Sequence, residues 1–164
     1  MSLETVQAFL KIRAPDIIIL QTAAISATVA EAAAAHGVAP DQIAKTLSLR
    51  IGDDILLVVT AGTARLDNAK AKAAFGGKVS MLDRNAVERA TGHPVGGVCP
   101  FGLPAPAPIY CDVSLKAHSL VIVAAGAVNA AVRMSPERLA FITQAAWVDV
   151  CRVAGPDASG PAPE

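Results

Sequence analysis

The stretch Ile43-Ala44-Lys45-Thr46-Leu47-Ser48-Leu49-Arg50-Ile51-Gly52-Asp53-Asp54-Ile55-Leu56-Leu57-Val58-Val59-Thr60 decides the fold class. In its first half, Leu47, Leu49 and Ile51 alternate with Thr46, Ser48 and Arg50, the period of a half-buried strand. Gly52-Asp53-Asp54 is turn chemistry, and Ile55 to Thr60 reads as the returning strand of a hairpin. Working outward, helical patterns flank this hairpin. Leu3, Val6, Phe9 and Leu10 mark a helix over 3–12. Ile17 to Leu20 reads as a short buried strand. Thr28 with Glu31 forms a capping box that opens a helix to Ala35, and Gly37 is its stop. Asp67 and Asp83 cap two further helices, ended by Gly76-Gly77 and Gly92, with a strand over 78–82 between them. Strands are expected at 109–113, 120–124 and 130–134. Ser135-Pro136-Glu137 then starts a last helix. Strands and helices mix without regular βαβ alternation, so the class is α+β (mixed α/β) rather than doubly wound.

The chain of 164 residues predicts one domain, placed at 1–152, with 153–164 a flexible Pro/Gly/Ala-rich tail. Hydrophobic residues make up 53% and charged residues 17%, so a membrane span must be tested. The longest run without Asp, Glu, Lys or Arg, Ala90 to Cys111, is broken by prolines and glycines and cannot span. The net charge of +0 excludes a general nucleic-acid coater, which needs a basic surplus. No positive region followed by an apolar core marks a signal peptide at Met1-Ser2-Leu3-Glu4. Cys99, Cys111 and Cys151 form no CxxC pair and read as reduced thiols in a cytoplasm.

The informative run is His93-Pro94-Val95-Gly96-Gly97-Val98-Cys99-Pro100-Phe101-Gly102, inside a long connection over 92–108. Loops of this length are usually functional or disordered. Paired glycines let a ligand approach the backbone, and their amides can donate to an oxyanion. The bland reading, a tight connection, is weakened by the apolar composition, since solvated loops are polar. The run lacks the Gly-Lys-Ser/Thr ending of a phosphate loop. Cys99 is a possible nucleophile, although a free cysteine is more often a small buried hydrophobe. His93, beside the glycines, is a candidate lining residue. His36, at a helix C-terminus, reads as structural, and His118 as surface. Histidines and cysteines lack zinc-ligand spacing, and no GxSxG nucleophile elbow is present. Lys45 is either a solvated strand-edge lysine or a cation for a phosphate or oxyanion.

Three segments together, Ala44-Lys45-Thr46-Leu47, Thr91 to Gly102, and Ala124-Ala125-Gly126 before the Ser135-Pro136 helix, resemble the YbaK/ProX family. These are free-standing relatives of the editing domain of bacterial prolyl-tRNA synthetase. The resemblance covers about residues 3–152. It implies a strongly curved, barrel-like mixed β-sheet flanked by helices, and a cytoplasmic, metal-independent aminoacyl-tRNA deacylase without cofactor. The substrate would be a small mischarged amino acid (Ala, Ser, Cys or similar) on the tRNA 3′ end, with tRNA-Pro the expected carrier. Lys45, Gly96 and Gly97 would be catalytic. Thr46, His93, Val98, Cys99, Pro100, Phe101 and Gly126 would bind substrate. Thr46 stands where the alanine-editing branch has asparagine, and Cys99 where the cysteinyl branch tends to have serine. A prolyl-tRNA synthetase or an elongation factor would deliver the substrate. The alternative is a non-catalytic binding module of the same fold, an amino-acid or nucleotide sensor or a synthetase accessory protein.

Overall fold

The computed structural model describes residues 2–23 and 25–153. The hairpin read from the sequence is its central feature. Strand β2 (Ile43–Ile51) pairs antiparallel with β3 (Asp54–Ala61) over their whole length, from Ala44↔Ala61 to Ile51↔Asp54. Around it, in chain order, are α1 (Ser2–Arg13), β1 (Leu20–Gln21), α2 (Val29–His36), β4 (Ala64–Leu66), α3 (Asn68–Phe75), β5 (Ser80–Met81) and α4 (Arg84–Thr91). They are followed by β6 (Ile109–Asp112), β7 (Val121–Ala124), β8 (Ala130–Met134), α5 (Pro136–Thr143), β9 (Ala146–Val148) and β10 (Cys151–Val153). Eight strands form one mixed sheet in the order β1-β8-β7-β2-β3-β6-β9, with β5 also on β2. The β2–β7, β3–β6 and β6–β9 pairs are parallel. β4 and β10 make a separate two-stranded ribbon. Helices flank the sheet, giving the mixed α/β architecture expected.

Local chemistry accounts for the helix ends. Thr28 and Glu31 make both bonds of the capping box, and Asp67, Asp83 and Ser135 each accept a backbone N–H of the first turn. Packing fixes the rest. Val6 and Leu10, one turn apart on α1, bury against β7, β8 and α5 together with Val59, Cys99, Phe101 and Cys111. Each such side chain contributes roughly 1.5–3 kcal/mol on burial. A second cluster joins Leu49, Leu56 and Val58 to α3 and Val150, and a third seats α2 on Ile43, Ile122 and Ala131.

One expected element differs. Ile17 to Leu20 is not a buried strand: only Leu20–Gln21 pairs, at the sheet edge against β8, and Ile18 is 75% exposed. An apolar run of four residues does not say whether a second layer will cover it. β4, β9 and β10 have three residues each, too short to carry a period. Of the tail expected over 153–164, Val153 closes β10 and the remainder lies outside the described residues. No described helix is long and apolar enough to cross a membrane.

Candidate active site

The site begins with a split along one edge of β2. β7 pairs with that edge only at Ile43 and Ala44, and β5 takes it up again at Leu49 and Arg50. Between them, Lys45 to Leu47 face a gap with no paired strand among the described residues, and Leu82 N–H closes its far end by donating to Ser48 O at 3.0 Å. The register Ile43↔Ile122, Ala44↔Val123 is parallel, so Lys45 and Thr46 run abreast of Ala124 and Ala125, just before Gly126. A point where parallel neighbours part is where open sheets receive ligands.

The glycine loop closes on this point. Gly126 N–H donates to Gly97 O at 3.1 Å. A Cβ at Gly97 would lie 2.8 Å from Ala127 N, and one at Gly96 2.9 Å from Val128 Cγ1 and 3.3 Å from Ala27 Cβ. Gly126, at φ +89°, packs against the Ser2 carbonyl, with 2.7 Å to a hypothetical Cβ. Glycine is required at Gly97 and Gly126 because backbone meets backbone there. Gly96, Gly97 and Gly126 thus meet at one seam, and the backbone of Lys45 and Thr46 runs beside the strand that leads into it. A concavity of about 480 Å³ between α1 and the far end of the loop is lined by Ser2, Phe9, Gly102 and Leu103, among others, and by none of the seam residues.

Not every expected site residue faces this seam. His93 is fully buried, its Nε2–H donating to Phe101 O at 2.7 Å and its Nδ1 accepting from Ser2 Oγ at 2.5 Å. Burial pushes its pKa below the ordinary 6.5, against the bond to Phe101, so the ring is neutral near pH 7. Both ring nitrogens of His93, expected to bind substrate, are thus occupied in pinning the loop to α1. Phe101 and Cys99 are likewise 0% exposed core residues, and Pro100 is buried beside them, so these three support the loop from beneath. The Cys99 thiol is pushed up to about 12, by burial above all, which keeps it protonated and disfavours nucleophilic chemistry there at neutral pH. Val98 and Gly96 keep partial exposure. Gly97 N–H donates to Pro94 O at 2.9 Å, closing a turn, so it is not a free oxyanion donor as the sequence suggested.

Strand alternation separates Lys45 from Thr46. Lys45 shares its face with Leu47 and Leu49, and its cation pulls on the Cys151 thiol, whose pKa burial and Asp112 push up to about 12. Thr46 and Ser48 share the other face with Ala44, on the side where Cys99 and Phe101 pack. Among the described residues, three buried hydroxyls are without a hydrogen-bond partner, a feature no sequence pattern announces: Ser26 Oγ, Thr46 Oγ1 and Ser48 Oγ. Ser26 is at the seam, since its N–H donates to Val128 O and the next residue, Ala27, touches Gly96. Among the described residues, no group of three or more His, Cys, Asp or Glu is placed to hold a metal ion.

The profile of the aminoacyl-tRNA editing domain matches residues 25–142, spanning the hairpin, the glycine loop and Gly126. The chain belongs to the aminoacyl-tRNA editing domain family. Its relatives include the uncharacterised protein YwhH of Bacillus subtilis, 46% identical over 129 residues, 77% of this chain and 82% of that one. EbsC of Enterococcus faecalis, provisionally named a Cys-tRNA(Pro)/Cys-tRNA(Cys) deacylase, is 30% identical over 117 residues, 70% of this chain and 71% of its own. A crystal structure described provisionally as a trans-editing enzyme for prolyl-tRNA synthetase superposes with a TM-score of 0.86 at 32% identity, over 92% of this editing domain and 97% of that chain. This is the YbaK-type fold that the lysine, loop and late glycine suggested.

Proposed function

We propose that this editing domain acts in trans as an aminoacyl-tRNA deacylase. It hydrolyses the ester joining a small mischarged amino acid to the tRNA 3′ end, with tRNA-Pro the expected carrier. The observation that carries the reading is the seam itself: Lys45-Thr46 on an open strand edge, abreast of a Gly126 turn bonded to Gly97. Family membership and the names given to EbsC and to the similar trans-editing structure support the same reaction.

An aminoacyl ester is activated, so modest assistance suffices: a held nucleophile, a stabilised oxyanion and exclusion of larger amino acids. A water oxygen attacks the ester carbonyl, the tetrahedral intermediate collapses, and the ribose oxygen leaves with a proton. The products are the free amino acid and the tRNA 3′-hydroxyl. Lys45, at the gap, supplies the cation for the terminal phosphate or the developing oxyanion. Because Gly97 N–H is taken by Pro94, Gly96 carries the backbone role once shared between the two glycines. Val98 and Gly126 bound the pocket, while His93, Cys99, Pro100 and Phe101 hold the loop in place. The chemistry is metal-independent in this reading, since positioning and donors supply it. Net charge +0 gives little general attraction for tRNA, so a prolyl-tRNA synthetase or elongation factor delivers the substrate.

The test is amino-acid release from Ala-, Ser-, Cys-, Thr-, 2-aminobutyryl- and Pro-tRNA-Pro, by wild type and Lys45→Ala, with and without chelator. One or two small substrates should be cleared, unaffected by chelator, and Lys45→Ala should lower the rate by about 100-fold or more, the scale for removing one oxyanion donor. A folded wild type that clears none would overturn the reading in favour of a non-catalytic binding module. A tight tRNA complex at physiological salt without any partner would count against delivery by a partner.

A further inference from the structure

We infer that Thr46 and Ser48 form a hydroxyl pair that recognises a short hydroxylated side chain, so that the amino acid this site selects is serine. The inference rests on the editing reading and names its substrate. Ser48 is 3% exposed, and the hydroxyl oxygens of both residues are buried without a partner. Buried hydroxyls in folded proteins are nearly always hydrogen-bonded, so two orphans on one strand require a reason. They are two residues apart on the same face of β2, which places their Cα atoms roughly 6.5–7 Å apart. One small hydroxyl inserted between them can donate to one and accept from the other.

Their surroundings supply no partner of their own. Across the hairpin, Thr46 faces Val59 and Ser48 faces Leu57, both apolar and fully buried or nearly so. On the other edge of β2, Thr46 meets the gap between β7 and β5, and Ser48 lies at its end, where its carbonyl accepts from Leu82 N–H at 3.0 Å. Ala44 and Val59, on the same face of the hairpin, share a core cluster with Cys99 and Phe101 of the loop. An apolar wall with two orphan hydroxyls, one in a gap and one at its end, is complementary to a CH₂–OH group. It is poorly matched to a methyl, which would leave both hydroxyls unpaired. Sites built to hydrogen-bond a substrate hydroxyl discriminate strongly against the analogue that lacks it.

The experiment measures binding of two non-hydrolysable CCA-end analogues, with seryl or alanyl joined by a 3′-amide, to wild type and to Thr46→Val/Ser48→Ala. Calorimetry is run alongside hydrolysis of Ser- and Ala-tRNA-Pro. Wild type should bind the seryl analogue about tenfold or more tighter, the scale of one net hydrogen bond, and the double variant should bring the ratio to within about twofold of one. Equal affinities in wild type, no binding of either analogue, or a seryl preference that survives the double variant each overturn the inference. Seryl preference without hydrolysis would keep the pair and overturn the editing reading. Hydrolysis of Ala-tRNA-Pro without seryl preference would do the reverse.

Discussion

Replacing Gly97 with alanine adds one carbon at the tightest point of the seam. That carbon would lie 2.8 Å from Ala127 N, 2.9 Å from Gly126 C and 3.0 Å from Ala127 Cα. All three are backbone atoms, so no side chain can swing away. Ordinary contact begins at 3.4 Å, and the 126–127 turn must retreat by about half an ångström. The Gly126 N–H to Gly97 O bond, 3.1 Å at present, would then stretch beyond hydrogen-bond range. Overpacking costs about 1–3 kcal/mol and the lost bond about 1, giving a destabilisation of about 2–4 kcal/mol. Gly77→Ala is the matched control, because its only close neighbour is Ile51 Cγ2 at 3.3 Å, a side-chain methyl that can move. It should change stability by less than about 0.5 kcal/mol. Urea unfolding of the three proteins at pH 7.5 reads the difference. Deacylation measured where Gly97→Ala is still fully folded should fall by about tenfold or more, since small misplacements at a reacting centre are costly. A Gly97→Ala protein as stable as Gly77→Ala would refute the close approach on which the site is built.

Other consequences concern titration and reactivity. The pKa of His93 is lowered in the folded state, so between that value and the ordinary 6.5 the unfolded chain binds more protons. Stability should therefore hold above pH 6.5 and decline as pH falls below it, and His93→Gln should flatten that slope in pH-dependent urea titrations; an unchanged slope would rule the assignment out. His36 is lowered too, by burial and then Arg133, so His36→Gln is measured in parallel to separate the two. All three cysteine thiols are buried and pushed up to about 12, and mild alkylation of the native protein near pH 7.5 should label none of them. Rapid labelling of Cys99 in folded protein would contradict its place in the core. Thr28→Ala, which removes the capping box, should cost about 1 kcal/mol in the same unfolding assay.

Features encoded locally were legible in the sequence. The caps at Thr28, Asp67, Asp83 and Ser135 and the 43–60 hairpin depend on neighbours a few residues away, and they form where their chemistry places them. Non-local features were not. The parallel registers of β2 with β7 and β3 with β6 join segments about 80 and 50 residues apart, and no period in either segment announces its partner. Whether Ile17 to Leu20 is covered depends on what packs over it, which is why an apolar run became an exposed edge. The paired glycines were read as room for a ligand to approach the backbone, and at Gly97 it is the backbone of Gly126 and Ala127 that comes close. The sequence could not signal that Gly97 N–H would be used inside the loop, or that His93 would turn inward to Ser2 and Phe101. Orphan hydroxyls are invisible in sequence altogether, since nothing in Ser48 itself says that its neighbours across β2 will be Leu57 and Leu82.

The boundaries of the family match and of the working site differ, and the reason is physical. The matched segment, 25–142, omits α1. Yet α1 touches the glycine loop and the Gly126 turn at three places. Ser2 Oγ holds His93, the Ser2 carbonyl backs Gly126, and the Thr5 carbonyl backs Gly102, with 2.6 Å to a hypothetical Cβ there. Val6 and Leu10 on the same helix bury into the cluster that contains Cys99, Phe101 and Ala125. The loop has no regular secondary structure of its own between Gly92 and Pro108, so its shape must come from outside contacts. α1 supplies them from one side and the sheet from the other. Conserving the residues of the seam is therefore not sufficient for the site's geometry: a segment outside the matched region, acting through packing, two carbonyls and the Ser2 hydroxyl, backs the loop and the Gly126 turn. Variation in α1 among relatives would then tune the pocket without altering any residue that faces substrate.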